Sequence, residues 1–354
     1  MSEEPLLPEA KLIDAVRAIE TSRRRMSVVT DSSGYLLGTL TDGDIRRCLL
    51  AGGSLETPVS QAMNPNPLTA EIGSPEGYMK DMMRRGNVVA LPLVDQKGKF
   101  LRLVHLLDLE QDDPQANGAP GFSFAVIMAG GEGARLRPLT EAIPKPMVEI
   151  GGMPLLERQV QRLAKAGISR AYISVNYLSH IIEDYFGDGR DFGLEIRYLR
   201  EQEKLGTAGA LSLLPECPDG PIIVMNGDIL TTSDFESFYT FHITHGANVT
   251  VAAIDHRVHI PYGVIRADGP FVTNLVEKPS ERFLCNAGIY AVSPEALSLL
   301  PKGRQSNMTD LIDACLAENS PVAVFPVHEY WNDIGTPDDL EKAREHFAKL
   351  EIIK

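Results

Sequence analysis

Apolar and polar positions follow two different periods along the C-terminal two-thirds of the chain. Short apolar runs and alternating segments predict strands, whereas apolar residues spaced three and four apart predict amphipathic helices. In chain order, the segments are strand Phe124–Met128, helix Pro154–Ala166, strand Ala171–Asn176, helix Ile181–Phe186 and strand Leu194–Glu201. Such alternation is typical of an α/β domain with a doubly wound, Rossmann-like sheet, where ligands gather at the carboxyl ends of the strands.

The N-terminal third contains an internal repeat. Residues 30–45 align without gaps on residues 94–109, and each copy predicts a strand, an Asp-x-x-Gly turn, a second strand and a helix opened by Asp. Helical apolar patterns precede both copies, at Leu12–Ile19 and Tyr78–Met83. We therefore predict an α+β module at residues 1–115, with repeats at residues 8–64 and 65–115.

A polar segment rich in Pro and Gly, residues 111–121, follows the repeat and has no apolar periodicity. This composition is typical of a linker. We place the linker at residues 116–122 and the α/β domain at residues 123–354.

Composition and charge narrow the range of partners. The chain has 354 residues, enough for two or three domains, and a formal net charge of −14. An acidic chain without a basic stripe does not suit nucleic acid. The four cysteines have no C-x-x-C spacing, which indicates reduced thiols, and the sequence shows no signal-peptide pattern and no apolar run of about 18 residues. We expect a cytoplasmic protein with no nucleic-acid or membrane partner.

Three glycines follow the first predicted strand of the α/β domain, at Gly130, Gly131 and Gly133. Glycines at a strand end let backbone N–H groups close around phosphate oxygens, because no Cβ blocks the approach. Arg135 and Lys145 follow and would neutralise a triphosphate. The two standard phosphate-loop patterns do not fit. An ordinary tight turn would explain the glycines alone, but the added cations favour a phosphate site.

Residues 130–140, GGEGARLRPLT, followed by Pro-Lys-Pro at 144–146, resemble the signature of sugar-1-phosphate nucleotidyltransferases. That family makes NDP-sugars from an NTP and a sugar 1-phosphate, and its pattern is G-G-x-G-T-R-L-x-P-L-T with P-K-P. Ala134 stands where the family usually has Thr, which affects one phosphate contact rather than the activity. The resemblance implies nucleotide binding by Ala129, Gly130, Gly131 and Gly133, and catalytic roles for Arg135 and Lys145.

Two further parts of the sequence resemble the nucleotide and metal sites of the same family. LGTAGA at 205–210 resembles the base-binding turn around Gly206, although a Gly-rich helix start is the alternative. Asp228, after a buried apolar run, and Asp333, within WNDIGT, resemble the two metal-binding aspartates. A lone Asp at a strand end is more often a cap, but Mg²⁺ in phosphoryl transfer takes one or two carboxylates. We therefore expect Mg²⁺ on Asp228 and Asp333, with Asp228 also at the nucleotide.

Three motifs between those aspartates resemble the sugar-phosphate side of the family's site. They are Pro-Tyr-Gly-Val around Gly263, Glu277-Lys278-Pro279, and Asn-Ala-Gly-Ile-Tyr starting at Asn286. The resemblance implies that Gly263 allows a close approach, that Glu277 and Asn286 contact the sugar, and that Lys278 holds the sugar phosphate and is catalytic. In isolation, Glu277 and Lys278 would be a solvated charge pair.

The N-terminal repeat resembles a tandem pair of CBS domains, modules that often bind adenine nucleotides. In that family a Thr/Ser-x-x-Asp at the end of the second strand meets phosphate and ribose. The first copy keeps it as Thr41 and Asp44, whereas the second has His105 and Asp108. Both aspartates would equally serve as helix caps. We expect a homo-oligomer whose module binds an adenine nucleotide or a sugar nucleotide at Thr41, Asp44 and Asp108.

The implied activity is nucleotidyl transfer from an NTP, most simply GTP, to a sugar 1-phosphate with release of pyrophosphate, serving cell-surface glycan biosynthesis. The opening IMAGGEG and the ending WNDIGT resemble guanylyltransferases acting on mannose, heptose or glucosamine 1-phosphates. UTP, dTTP or CTP as the donor remains an alternative. A non-catalytic nucleotide sensor is another, although a sensor could lose the aspartates and phosphate cations that this sequence retains.

Overall fold

The computed structural model describes residues 4–21, 25–86, 88–109 and 121–352. Residue contacts divide the chain into two compact units, Met1–Ala119 and Pro120–Lys354. The predicted linker at 116–122 lies outside the described residues except for its last two positions.

The N-terminal unit repeats one arrangement of strands and helices. Its elements are helices α1 Leu12–Thr21, α2 Asp42–Leu50, α3 Glu76–Gly86 and α4 Leu106–Leu109, and strands β1 Met26–Thr30, β2 Leu36–Thr41, β3 Ala70–Glu71, β4 Ala90–Val94 and β5 Phe100–His105. Strands β1–β2 and β4–β5 form antiparallel pairs, each with a register shift near its turn. The predicted equivalence of residues 30–45 and 94–109 therefore has a geometric counterpart.

The two Asp-x-x-Gly turns of this unit are built in the same way. Asp31 accepts a backbone N–H from Tyr35 at 2.9 Å, and Asp95 accepts one from Lys99 at 2.9 Å. The turns also bond to each other, because Phe100 donates its N–H to the carbonyl of Gly34 at 3.0 Å. Hydrogen bonds of this kind fix the turns locally and join the two copies within the unit.

The C-terminal unit is a mixed α/β structure. Its strands are β6 Ala125–Met128, β7 Glu149–Ile150, β8 Met153–Pro154, β9 Arg170–Val175, β10 Glu195–Arg200, β11 Ile222–Asn226, β12 Ile229–Thr231, β13 Val249–His259, β14 Val264–Asp268, β15 Phe271–Val276, β16 Ser280–Val292, β17 Val322–Val327 and β18 Trp331–Asp333. Its helices are α5 Leu155–Lys165, α6 Ser179–Phe186, α7 Gly206–Gly209, α8 Phe235–Thr244, α9 Pro294–Leu297, α10 Met308–Ala317 and α11 Pro337–Ile352.

Seven strands form the central sheet, in the order β10-β9-β6-β11-β16-β13-β17. Strands β10, β9, β6 and β11 are parallel, β16 is antiparallel to both neighbours, and β17 is parallel to β13. Because helices cover a parallel sheet on both faces, its inner strands are almost wholly buried. The predicted doubly wound α/β fold is confirmed, with β16 as an antiparallel insertion.

Helix α5 shows how the sequence pattern produces one of these layers. Leu156, Val160 and Leu163 recur on one face and join the apolar cluster beneath the sheet. The helix ends where Gly167 adopts a φ of +79°, which favours glycine. One polar residue, Gln159, lies on the same buried face with 3% of its surface exposed. Its amide must therefore find partners inside the protein.

Three two-stranded sheets accompany the main sheet in the described part of this unit, and one of them pairs β7 with β8. Strands β12 and β18 pair antiparallel, and so do β14 and β15, which form an exposed hairpin. Within the described ranges, no helix has the length and apolar character needed to cross a bilayer.

Candidate active site

The glycine loop follows β6 and packs against Lys145 and Thr140. Gly133 has a φ of +62°, and a Cβ there would lie 2.9 Å from the Cβ of Lys145 and 3.0 Å from Cγ2 of Thr140. Thr140 also donates its hydroxyl to the Gly133 carbonyl at 2.8 Å. Gly133 is thus required by packing. A Cβ on Gly131 would meet no atom within 4 Å, so this part of the loop faces open space.

Lys145 is the cation that the structure places deepest in this region. It has only 7% of its surface exposed and follows Pro144 in a short 3-10 turn. Its Nζ lies 2.5 Å from Oδ2 of Asp228 and 3.8 Å from Oδ1 of Asp333. A buried ammonium is costly unless it is paired, and these two carboxylates provide the pairing.

Asp228 and Asp333 are brought together by the β12–β18 pair. Ile229, next to Asp228, pairs with Asp333, and Ile334 donates its N–H to the Asp228 carbonyl at 3.0 Å. Oδ1 of Asp333 is buried and has no hydrogen-bond partner within the described residues. Burial and the charge of Asp228 raise the pKa of the Asp333 carboxyl, and Lys145 opposes this shift.

This donor set fits a hard divalent cation. Two carboxylates converge beside a phosphate-type loop, and one of their oxygens lacks a partner. Mg²⁺ binds through one or two carboxylates together with substrate phosphates. Arg135 also lies nearby, since its Nη1 would be 3.6 Å from a Cβ on Gly335, and its charge lowers the pKa of Asp333.

The turn around Gly206 is held by the start of α10. Gly206 has a φ of +78°, and a Cβ there would lie 2.6 Å from the carbonyl oxygen of Ser306. Ser306 donates its N–H to the carbonyl of Leu205 at 2.8 Å, and Met308 donates its N–H to the hydroxyl of Thr207 at 3.0 Å. The predicted helix start is a single turn, α7, followed by a 3-10 turn at Ala210–Leu213.

Glu201 connects this turn to the glycine loop, a role that was not predicted from the sequence. Its Oε2 accepts the Leu205 N–H at 2.9 Å, and its Oε1 accepts the hydroxyl of Ser174. The same Oε1 would lie 3.2 Å from a Cβ on Gly130. One feature of the sequence could have indicated this role. Glu201 is a carboxylate at the end of an alternating strand, four residues before the turn that starts at Leu205.

The residues predicted for the sugar side lie on the exposed hairpin and on β16. A Cβ on Gly263 would lie 2.8 Å from Oε2 of Glu277, so the glycine leaves room for that carboxylate. Lys278 adopts a φ of +46° and donates its N–H to the Tyr262 carbonyl at 3.2 Å. Both charged side chains are exposed. None of the ion pairs found in the described ranges joins Glu277 or Lys278 to Asp228, Lys145 or Asp333.

Asn286 lies within β16, beside a register shift in the pairing of β16 with β13. Its Nδ2 donates to the hydroxyl of Tyr290 at 2.8 Å, and its Oδ1 accepts the Gly288 N–H at 2.9 Å. Gly288 has a φ of +68°, and a Cβ there would lie 2.6 Å from Nδ2 of Asn226. This irregular part of β16 therefore packs against Asn226, two positions before Asp228.

In the N-terminal unit, Thr41 and Asp44 form a capping box at the start of α2. Thr41 accepts the Asp44 N–H at 3.4 Å, and Asp44 accepts the Thr41 N–H at 2.8 Å. Asp44 also pairs with Arg47. Capping thus accounts for both residues without a ligand. Asp108 lies in α4, but its side chain falls outside what the structure describes.

The comparison with known families agrees with this architecture. A profile described as nucleotidyl transferase matches residues 124–349, and the chain belongs to that family. A CBS domain profile matches residues 4–51. The predicted combination of a nucleotidyltransferase domain with an N-terminal CBS module is therefore confirmed, and the CBS match covers the first of the two predicted repeats.

Individual relatives carry more specific names. The chain is 34% identical over 225 residues to mannose-1-phosphate guanyltransferase of Debaryomyces hansenii, and 32% identical over 226 residues to mannose-1-phosphate guanylyltransferase of Mycobacterium tuberculosis. Each alignment covers 61% of this chain and 62% of the relative, so the chain spans under two thirds of their length. HddC from Yersinia pseudotuberculosis superposes with a TM-score of 0.50 at 29% identity, covering 63% of this chain and 98% of HddC.

Proposed function

We propose that this chain transfers a nucleotidyl group from an NTP to a sugar 1-phosphate and releases pyrophosphate. The observation that carries the proposal is the buried Lys145, paired with Asp228 and facing Asp333 beside the glycine loop. A triphosphate needs cations and backbone donors, and this end of the sheet supplies both. The names of the two relatives support the same reaction class.

In this reaction an oxygen of the sugar 1-phosphate attacks the α-phosphorus of the NTP. The bond from the α-phosphorus to the bridging oxygen breaks, and pyrophosphate leaves in line, so no protein nucleophile is needed. The glycine loop orients the phosphates, Arg135 and Lys145 neutralise their charge, and Lys278 holds the sugar phosphate. When bound, Mg²⁺ offsets negative charge on the triphosphate, with Asp228 and Asp333 as its protein ligands.

We further propose that the base is guanine and that Glu201 reads it. The Glu201 carboxylate bonds to the Leu205 N–H of the proposed base turn and approaches Gly130 of the proposed phosphate loop. A carboxylate only accepts hydrogen bonds, and guanine presents two adjacent N–H donors on its pairing edge. Uracil and thymine present one N–H between two carbonyls, which suits a carboxylate less well. A mannose-type sugar follows from the relatives' names alone.

The test is a pyrophosphate-release assay with GTP, UTP, dTTP and CTP against a panel of sugar 1-phosphates. We expect the highest kcat/KM with GTP, and about a tenfold loss of that preference in Glu201→Gln, since a bidentate contact discriminates by about 1–3 kcal/mol. Glu203→Gln, an exposed neighbour, is the matched control. Equal or better turnover with another NTP would refute the guanine assignment. No turnover with any NTP would refute the reaction and favour the nucleotide sensor.

For the N-terminal unit we propose binding of an adenine nucleotide or a sugar nucleotide in a cytoplasmic homo-oligomer. Its support is the CBS profile match and the Thr41-x-x-Asp44 pattern. Calorimetry of the full chain with AMP, ATP and GDP-sugars tests binding, and light scattering tests the oligomer. A ligand there changes the activity only if its affinity differs between two states of the enzyme. Absence of binding to wild-type protein would leave the capping box as the full explanation of Thr41 and Asp44.

A further inference from the structure

The turn that carries Asp228 accepts two hydrogen bonds from a buried glutamine, Gln159. Nε2 of Gln159 donates to the carbonyl of Asn226 at 3.0 Å and to the carbonyl of Ile229 at 2.6 Å. These two carbonyls flank Gly227 and Asp228, so a single amide group closes both ends of the four-residue turn. The orientation of the amide is unambiguous, because the opposite one would direct an oxygen at two carbonyl oxygens.

Apolar packing alone does not explain why a glutamine occupies this buried position. Its side chain is 3% exposed, and its Oε1 is buried without a hydrogen-bond partner among the described residues. Its neighbours on the same face of α5, Leu156, Val160 and Leu163, are apolar. A buried polar atom without a partner is unfavourable, so an apolar side chain would suit the core better unless the two donated bonds matter.

Besides the Lys145–Asp228 ion pair, two backbone hydrogen bonds hold this turn. Gly227 donates its N–H to the Met128 carbonyl at 2.8 Å, at the start of the glycine loop. Ile334 donates its N–H to the Asp228 carbonyl at 3.0 Å, which fixes the turn to the strand that ends at Asp333. Gln159 donates from a side chain, so its contribution can be removed by substitution while these two backbone bonds remain.

We propose that Gln159 is a positioning residue that sets the Asp228 carboxylate against Asp333 and thereby sets the affinity for the divalent cation. This rests on the proposed function, in which Asp228 and Asp333 bind that cation. A displacement of the turn moves the Asp228 side chain directly, since Asp228 lies between the two carbonyls that the amide holds. Residues that orient metal ligands without touching the metal influence affinity in this way.

The sequence contains one tryptophan, Trp331, two residues before Asp333, and its fluorescence provides a local probe. Mn²⁺ binding to the full chain is measured by quenching of this fluorescence and by electron paramagnetic resonance of free Mn²⁺. Gln159→Met keeps the side-chain length and removes both donated bonds. We expect its dissociation constant for Mn²⁺ to rise at least about tenfold, the range typical of residues that orient metal ligands. If Gln159→Met does not fold, Gln159→Asn is measured instead, because its side chain is one methylene shorter and its amide does not reach both carbonyls.

Two controls separate positioning from general destabilisation. Gln161 lies on the same helix, where its amide bonds to Glu157 at 2.8 Å, and Gln161→Met should leave Mn²⁺ affinity unchanged. Leu163→Ala lowers stability from the same buried face without removing a hydrogen bond to the turn. A lower melting temperature in Gln159→Met with Mn²⁺ affinity within twofold of wild type would overturn the proposal. So would an equal loss of affinity in Leu163→Ala.

Asp228→Asn in the same titration distinguishes this proposal from the proposed function. Weaker Mn²⁺ binding in Asp228→Asn with wild-type binding in Gln159→Met overturns the positioning role and leaves the metal site in place. Unchanged binding in Asp228→Asn overturns the metal site, and the role of Gln159 with it.

Discussion

The nucleotide half and the sugar half of the candidate site are built differently. In the nucleotide half, Lys145 is 7% exposed and paired with Asp228 at 2.5 Å, and the glycine loop is fixed by the Thr140 hydroxyl. In the sugar half, Glu277 and Lys278 are exposed, and every residue of β15 is exposed. Lys145 places the centre of the nucleotide half inside the domain, whereas Glu277 and Lys278 of the sugar half lie beside a surface hairpin.

This difference bears on how each half is organised before substrate binds. Charges held in a buried, hydrogen-bonded arrangement act strongly on a ligand, because little has to reorganise when it arrives. A two-stranded hairpin with few buried contacts is marginally stable and opens easily. We infer that the nucleotide half is formed in the free protein and that the sugar half is completed by the sugar phosphate.

The largest effect is expected in the nucleotide half, from Asp228→Ala. Removing this carboxylate takes away a ligand of the proposed cation and should lower Mg²⁺-dependent pyrophosphate release by more than about 100-fold, because a metal ligand contributes several kcal/mol to stabilising the transition state. Melting curves check that the fold persists, and Asp219→Ala, at an exposed site, is the control. A variant retaining more than about a tenth of the wild-type rate would remove Asp228 from the metal site.

Lys145→Ala should reduce kcat/KM for the NTP by about 100-fold, in the range seen when a buried electrostatic donor is removed. The loss should exceed that of any exposed lysine, because Lys145 acts where water is largely excluded. Steady-state kinetics with each substrate varied in turn provides the measurement. Lys165→Ala, at the exposed end of α5, is the matched substitution. An effect on the sugar phosphate alone would contradict the placement of Lys145 in the nucleotide half.

Lys278→Ala tests the exposed half and should have a smaller effect. We expect the KM for the sugar phosphate to rise by about tenfold with little change in kcat, since an exposed charge is screened by water and contributes to both bound states. Lys302→Ala, also exposed, should leave both constants unchanged. If Lys278→Ala raised only the KM for the NTP, the division of the site into two halves would be wrong.

The pH dependence of stability reports on the buried end of β16, the strand that also carries Asn286. His242 of α8 bonds to Thr250 of β13 at 2.8 Å and to Ser293, just after β16, at 2.9 Å. Burial lowers the pKa of His242 from 6.5 to about 4. Between these two pH values the unfolded chain binds a proton at His242 that the folded chain does not. The stability that the protein has with neutral His242 is therefore intact above pH 6.5 and is lost as the pH falls towards 4.

Urea unfolding between about pH 7 and about pH 4 measures this effect on the free energy of unfolding, which should amount to about 3 kcal/mol when fully developed. His242→Asn should be less stable at neutral pH and should lose less stability on acidification. His245→Gln, at the exposed end of α8, should keep the wild-type dependence. A parallel decline in wild type and His242→Asn would show that other groups cause the acid sensitivity.

Much of the fold follows from local pattern. The apolar spacing of Leu156, Val160 and Leu163 predicts α5, whose observed bounds, Leu155–Lys165, lie within the predicted ones. Gly167 at its end predicts the stop, because a positive φ favours glycine. The insertion of antiparallel β16 was not predictable, since strand direction depends on pairing between distant segments.

The residues of the candidate site divide in the same way. Gly133 and the Pro-Lys-Pro segment are close in sequence, and their local pattern is sufficient to indicate a phosphate loop. Gln159 and Glu201 gave little sign of their roles, because a polar residue in a helix or at a strand end is usually solvated. Their significance appears only from what they touch, namely the Asp228 turn and the Leu205 N–H.

The sequence alone determined the first alternating strands and helices of the α/β domain, the glycine loop and the family resemblance, because periodicity and short motifs depend on neighbouring residues. Only the tertiary structure decided that Lys145 meets Asp228 across 83 positions and faces Asp333. It likewise decided that Gly206 lies under Ser306 and that Gln159 fastens the Asp228 turn. Contacts between distant positions result from packing of the whole sheet, which depends on every layer simultaneously rather than on any single segment.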